Sequence, residues 1–399
     1  MQAVELEAAQ LVRQFHAAPP RQQARVATTL VEFCNRQPYG KEWHDASGRA
    51  GVVAAVTQAA KLSDVTLQQQ AVAALARLVF NHHNNKSAAA AAGAVPHLMQ
   101  LTKSSNAALQ LQAVAVLGGL VINHHDNQSA AAAAGAVPHL MQLTKSSNAA
   151  LQETAVEALG CLVSHHPDNK SAVAAAGAIP HVMQLTKSSN AALQKQAVEA
   201  LGFLVFNHHG NQSAAAAAGA VHHLMQLTKS GNNALQKEAV NALARLVADH
   251  TDNQCAAGAA GAVECMCNLL SPDYGLLAFA AADALNYLSS LADNARRAVS
   301  MGAVALLLQL QARFDGHEVI DEALAKLAQV PTAPPQMPSS EPAFAAAASA
   351  APAPVPAPAR RLAPGSRVRI EGLQGRPEMN GRTGIICGAL QQASMLRSC

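Results

Sequence analysis

The chain has 399 residues, half of them apolar but only 3% aromatic and 13% charged, and Ala supplies much of the apolar half. Cores of such small side chains favour closely packed helices, because Ala is the best helix former and strand patterns of Val, Tyr and Phe are scarce. The formal charge of +3 balances 28 basic against 25 acidic residues, which argues against a global polyanion-binding role; the seven Arg and two Glu after residue 358 carry a net +5, leaving −2 on residues 1–358.

At the amino terminus, Glu5 and Glu7 stand where a secretory signal has a basic flank, and no apolar run of about 18 residues marks a membrane span. Seven scattered cysteines (Cys34, Cys161, Cys255, Cys265, Cys267, Cys387 and Cys399) do not form a disulfide framework. They fit a reducing compartment, the cytoplasm, with the nucleus as the alternative. Residues 5–33, split by Pro19 and Pro20, predict the helices of an N-terminal cap over 1–40.

Residues 41–330 are dominated by a repeat. GAVPHLMQLTKSSNAALQ at Gly93 recurs unchanged from Gly135 and with few changes from Gly177 and Gly219. Gly51, Gly261 and Gly302 extend the register, giving five spacings of 42 residues and one of 41. A period of about 40 to 47 residues reads as a helical solenoid. Within one unit, Asn85 is expected to cap a short helix over 87–92, ended by Gly93; Pro96 opens a second helix to about Thr102; and Asn106 caps a third from Ala107 to about Asn123. On the third helix Leu109, Ala113, Val116, Leu117 and Leu120 form one apolar stripe that a neighbouring unit must cover. Residues 302–330 serve as the closing cap.

This punctuation closely resembles the armadillo repeat family. The resemblance implies an all-α, right-handed superhelical solenoid of about seven three-helix repeats, whose third helices line a concave groove that binds extended peptides or partner proteins. Nuclear-import receptors of the family hold a peptide backbone with Trp and Asn on the third helix. Here the corresponding pairs are Ala73 and Arg77, Ala115 and Gly119, Glu157 and Cys161, Glu199 and Phe203, Asn241 and Arg245, Asp283 and Tyr287. A nuclear-signal receptor is therefore disfavoured.

The copies differ mainly at 111, 112, 115, 119 and 122 and their equivalents, one arc of about 100° opposite the apolar stripe. By the resemblance that arc faces the groove, while the first and second helices look monotonous. The expected partner-binding residues are Arg77, Phe80, Glu153, Glu157, Lys195, Glu199, Phe203, Phe206, Lys237, Asn241, Arg245, Asp283 and Tyr287, since aromatic and Arg side chains are the usual interface anchors. Drift at exposed positions is the competing explanation.

The recurring His-His pairs (from His82, His124, His165 and His208) and the single His97, His139 and His181 read as copied turn residues, not metal ligands: one loop supplies two ligands at best, and zinc needs three or four. Cys265 and Cys267 read as helix packing. No phosphate loop, nucleotide fingerprint, nucleophile elbow or metalloprotease helix occurs, so no enzymatic activity, catalytic residue, cofactor, metal or small-molecule substrate is expected.

Residues 331–359, almost entirely Pro, Ala and Ser, predict a disordered linker. In 360–399, alternating Arg367, Val368, Arg369 and Ile370, the turn Asn380-Gly381 and a second apolar run read as two strands. This stretch resembles part of a small SH3-like or KOW-like β-barrel module of algal and protist proteins, with a plain basic tail as the alternative. The sequence as a whole points to a non-catalytic protein-interaction scaffold. A membrane- or vacuole-associated armadillo adaptor is the runner-up, disfavoured by Gln2 where myristoylation needs Gly. An RNA-binding solenoid comes third, because Ala, Gly and Leu fill too many selector positions.

Overall fold

The computed structural model describes residues 2–37, 40–314, 317–330, 367–369 and 383–385. The chain divides into two units, 1–332 and 333–399. The first opens with α1 (Gln2–Ala17) and α2 (Pro20–Arg36). Helical triplets follow: α3 (Lys41–Arg49), α4 (Val52–Ala59) and α5 (Val65–Val79); α6 (His83–Ala91), α7 (Ala94–Leu101) and α8 (Ala107–Val121); α9 (His125–Ala133), α10 (Ala136–Leu143) and α11 (Ala149–Val163). Next come α12 (Pro167–Ala175), α13 (Ala178–Leu185) and α14 (Ala191–Val205); α15 (His209–Ala217), α16 (Ala220–Leu227) and α17 (Asn233–Val247); α18 (Thr251–Ala259), α19 (Ala262–Leu269) and α20 (Leu276–Leu288). The unit closes with α21 (Ala292–Ser300), α22 (Ala303–Arg313) and α23 (Glu318–Ala328).

Local chemistry sets these boundaries. Gly93 and its equivalents sit at φ between +74° and +85°, where a Cβ would be strained, and turn the first helix into the second. Asn106 caps α8 by accepting from the backbone N–H groups of Ala108 and Leu109, and Asn148, Asn190 and Asn232 do the same. The third helices α5, α8, α11, α14 and α17 are followed by a left-handed residue, Asn81, Asn123, His165, Asn207 and Asp249 in turn, types that tolerate that conformation better than most. The stripe of Leu109, Ala113, Val116, Leu117 and Leu120 is fully buried.

Third helices pack on one another in the order α5, α8, α11, α14, α17, α20, with α2 and α23 closing the row. Glycine lets them approach: a Cβ on Gly118 would stand 3.3 Å from Ala158 Cα. The first helix begins earlier than its sequence suggests. His82, not Asn85, caps α6, its Nδ1 accepting from the Asn85 N–H, and Asn85 lies buried inside the helix.

In the second unit the described residues are two short strands, β1 (Arg367–Arg369) and β2 (Thr383–Ile385). They pair antiparallel, Arg367 opposite Ile385. The linker expected at 331–359 and the rest of 360–399, on which the small-barrel reading depends, lie outside the described residues.

Candidate functional site

A rigid frame underlies the third helices, and buried polar side chains build it. Asn127 Nδ2 donates to Leu120 O (3.0 Å) and to Lys86 O of the preceding repeat (3.2 Å); Asn85, Asn169, Asn211, Asn253 and Asn294 repeat the pattern. The capping histidines add a second stitch. Nε2 of His124, His166, His208 and His250 bonds the Oγ of Ser87, Ser129, Ser171 and Ser213, at 2.8 to 3.0 Å, and His82 Nε2 meets Asp45 Oδ1 at 2.9 Å. A backbone N–H can only donate, so the Nδ1 that accepts it is bare and Nε2 carries the proton. These histidines lie in the turn after a third helix, His124 N–H donating to Val121 O, and act there as helix caps and inter-repeat bonds. Among the described residues no group of three or more His, Cys, Asp or Glu is placed to hold a metal ion.

The first helices are not monotonous either. Over four successive repeats the residue after the buried Asn alternates, Lys86, Gln128, Lys170 and Gln212, and reaches the end of its own repeat's third helix; Gln254 in the next repeat breaks the series and donates to Val247 O instead. Lys86 Nζ donates to Ile122 O (2.6 Å) and Lys170 Nζ to Phe206 O; Gln128 Nε2 donates to Ser164 O (2.7 Å) and Gln212 Nε2 to Ala248 O (2.8 Å). Lys occurs with the bulky Ile122 and Phe206, Gln with the small Ser164 and Ala248. Sequence inspection passed over these residues, although the alternation itself is legible there.

Against this frame the expected binding residues fall into two groups. Phe80 is 60% exposed and Glu157 is exposed; Glu153, Lys195, Glu199, Phe203, Phe206, Lys237, Asn241, Arg245, Asp283 and Tyr287 are half-buried, as is Arg77, its Nη2 donating to Gln37 O (2.6 Å). The arc is thus a shelf partly packed between neighbouring helices, and Cys161, Ser164 and Glu238 on it are buried outright. Some of its charges are paired: Lys195 stands 3.8 Å from Glu199 and Lys237 3.1 Å from Glu238, which also accepts from Asn241 (3.3 Å). Burial, reinforced by Glu238, raises the Glu199 pKa.

The positions 161, 203, 245 and 287 follow one another in successive repeats. Phe203 lies against Gly160, where a Cβ would stand 3.4 Å from its ring. The Arg245 guanidinium lies 4.7 Å from the Phe203 ring centroid and 5.9 Å from that of Phe206, and a Cβ on Gly202 would come within 3.0 Å of its Nη1. Lys326 Nζ is 5.9 Å from the Tyr287 ring and donates to Asn286 O (3.0 Å). Burial lowers the Arg245 pKa and raises those of Asp283 and Tyr287.

Residues 82–122, 124–164 and 166–204 match the family model described as Armadillo/beta-catenin-like repeat. No curated protein matches the sequence. Among solved structures, a crystal structure of an engineered protein from the Northeast Structural Genomics Consortium is 26% identical over 81% of this chain and 79% of its own, with a TM-score of 0.67. A designed armadillo repeat protein is 21% identical, with a TM-score of 0.53 over 60% of this chain and 99% of its own. Another, solved in complex with the peptide (KR)4, is 19% identical with the same TM-score and the same two coverages.

Proposed function

Because the chain carries armadillo repeats, we propose that it is a protein-interaction scaffold whose third-helix row forms a groove for an extended segment of a partner. One observation carries this reading. On a frame whose stitches repeat almost unchanged, the half-buried shelf changes chemistry at every step, from Cys161 to Phe203, Arg245 and Tyr287 at one position and from Glu157 to Glu199, Asn241 and Asp283 at another. Mixed aromatic, Arg and carboxylate groups on a rigid support are what a side-chain-reading surface needs. That a similar fold has been solved with a peptide bound agrees with the class of partner.

Proximity labelling with three forms of the chain tests the proposal. Glu157→Lys with Glu199→Lys reverses two charges on the shelf; Glu7→Lys with Glu42→Lys makes the same change at exposed sites on α1 and α3. Gln128 and Gln212 would not serve as control sites, because both are buried stitches. Partners recovered by the wild type and the control, but weakened by at least about 1 kcal/mol in a direct binding assay of the shelf variant, are expected. Equal binding by both variants at about 150 mM salt, where long-range steering is largely screened, would leave drift as the explanation of the variable row.

A further inference from the structure

Arg245 is built in with unusual care for a residue with no acceptor. Its Nη1 occupies the space left by Gly202, the planar group lies 4.7 Å from the Phe203 ring centroid, and the backbone is pinned by Gln212 Nε2 donating to Arg245 O (3.0 Å). Yet among the described residues no carboxylate or carbonyl lies within hydrogen-bond reach of the guanidinium. A guanidinium presents five donors in a planar fork matched to a carboxylate. Glu238, Glu199 and Asp283 act on its charge through space, but none is hydrogen-bonded to it: Glu199 is beside Lys195, Glu238 beside Lys237, and Asp283 forms no ion pair among the described residues. A second cation, Lys170, has its Nζ 5.4 Å from the Phe206 ring centroid.

We infer that Arg245, shelved on Phe203, is the point at which the groove reads a carboxylate side chain of an extended peptide. The inference rests on the groove reading above and gives it a residue-level preference. An acidic side chain entering there makes a paired fork, and the aromatic shelf holds the guanidinium in one orientation beforehand, so less freedom is lost on binding. The same position holds Gly119 and Cys161 in other repeats, so the fold does not need an Arg there.

Selection from a displayed library of random twelve-residue peptides provides the test, with the full-length wild type, Arg245→Gln and Asp283→Asn as baits. Wild-type selections are expected to converge on Asp or Glu at one fixed position, and Arg245→Gln selections to lose that convergence while still yielding binders. A wild-type-selected peptide should bind Arg245→Gln at least ~10-fold more weakly. Its Asp→Asn version should lose as much on the wild type and nothing more on Arg245→Gln, the signature of a direct pair. Phe203→Leu, which keeps the charge and removes the shelf, should retain the acidic preference at reduced affinity. Additive losses, or the same acidic preference with Arg245→Gln, would overturn the assignment. So would an acidic preference that emerges only with Asp283→Asn, which would make Asp283 the internal partner. If no bait yields any peptide, the groove reading itself fails and takes the assignment with it, an outcome distinct from peptides that bind without regard to Arg245.

Discussion

A buried carboxamide that bonds two carbonyls leaves no harmless truncation. Asn169 Nδ2 donates to Leu162 O (2.9 Å) and Gln128 O (3.3 Å), and the residue is 3% exposed. Asn169→Ala strands both acceptors, and a loss of about 2 to 4 kcal/mol is expected from urea unfolding. The adjacent Lys170 has the opposite sign. Burial pushes its pKa down to about 8, whereas an unfolded lysine keeps its proton to about pH 10.4. Between these values the unfolded state binds more protons, so stability rises with pH. Lys170→Gln installs the residue found at Gln128 and Gln212; it should raise stability at pH 7 and abolish that rise. A lower urea midpoint at pH 7 would mean that the bond to Phe206 O and the adjacent ring outweigh the cost of burying the ammonium.

At the scale of the helix, the repeated histidines make the solenoid acid-sensitive. Burial lowers the pKa of the caps His124 and His166, opposed by Asp126 and Asp168, and of His97, His139 and His181 on the second helices. His83 stacks on His124 and His125 on His166, at 4.3 and 4.2 Å, and each neighbour further disfavours the charge. A depressed histidine pKa contributes stability that is present above the unfolded value of about 6.5 and is lost as pH falls through the folded one. Protonating Nδ1 also turns the cap acceptor into a donor. Acid unfolding followed by circular dichroism should begin below about pH 6.5, and His124→Asn with His166→Asn, which still caps, should move the midpoint lower. An unchanged midpoint would assign the acid response elsewhere. The period, the glycine turns and the Asn106 cap were legible in sequence because they are local. The start of the first helix was not: Asn is a common cap and His is not, and the burial of Asn85 exists only once the neighbouring repeat is in place. For the same reason the variable arc was visible as a pattern, while its half-buried character depends on the distance between adjacent third helices.

Across the whole molecule, stability is a chain of nearest-neighbour terms. Leu159 is fully buried in α11, and Leu159→Ala should cost about 2 to 5 kcal/mol. Hydrogen exchange is expected to rise first in α8, α11 and α14 and last in α1 and α23; simultaneous loss of protection everywhere would show a single cooperative block instead. Removing residues 124–165 joins Asn123 to His166 and recreates the Asn-His junction found at Asn207 and His208. That variant is expected to remain monomeric by size exclusion and to melt cooperatively, with a shorter helical signal. Aggregation or a non-cooperative melt would mean that the units are not interchangeable.

The bonds from Lys86 to Ile122 and from Gln128 to Ser164 stay inside one 42-residue period, whereas the His and Asn stitches between periods are nearly the same throughout. A matched pair therefore travels with its own unit when DNA is copied or lost. One in-frame recombination between two such stretches adds or removes a whole unit, complete with its interior pairing, and hands the neighbours an interface they already fit. What changes is one step in the row of side chains, so the vocabulary of the binding face can be lengthened, shortened or reordered in single hereditary events without redesigning the support beneath it.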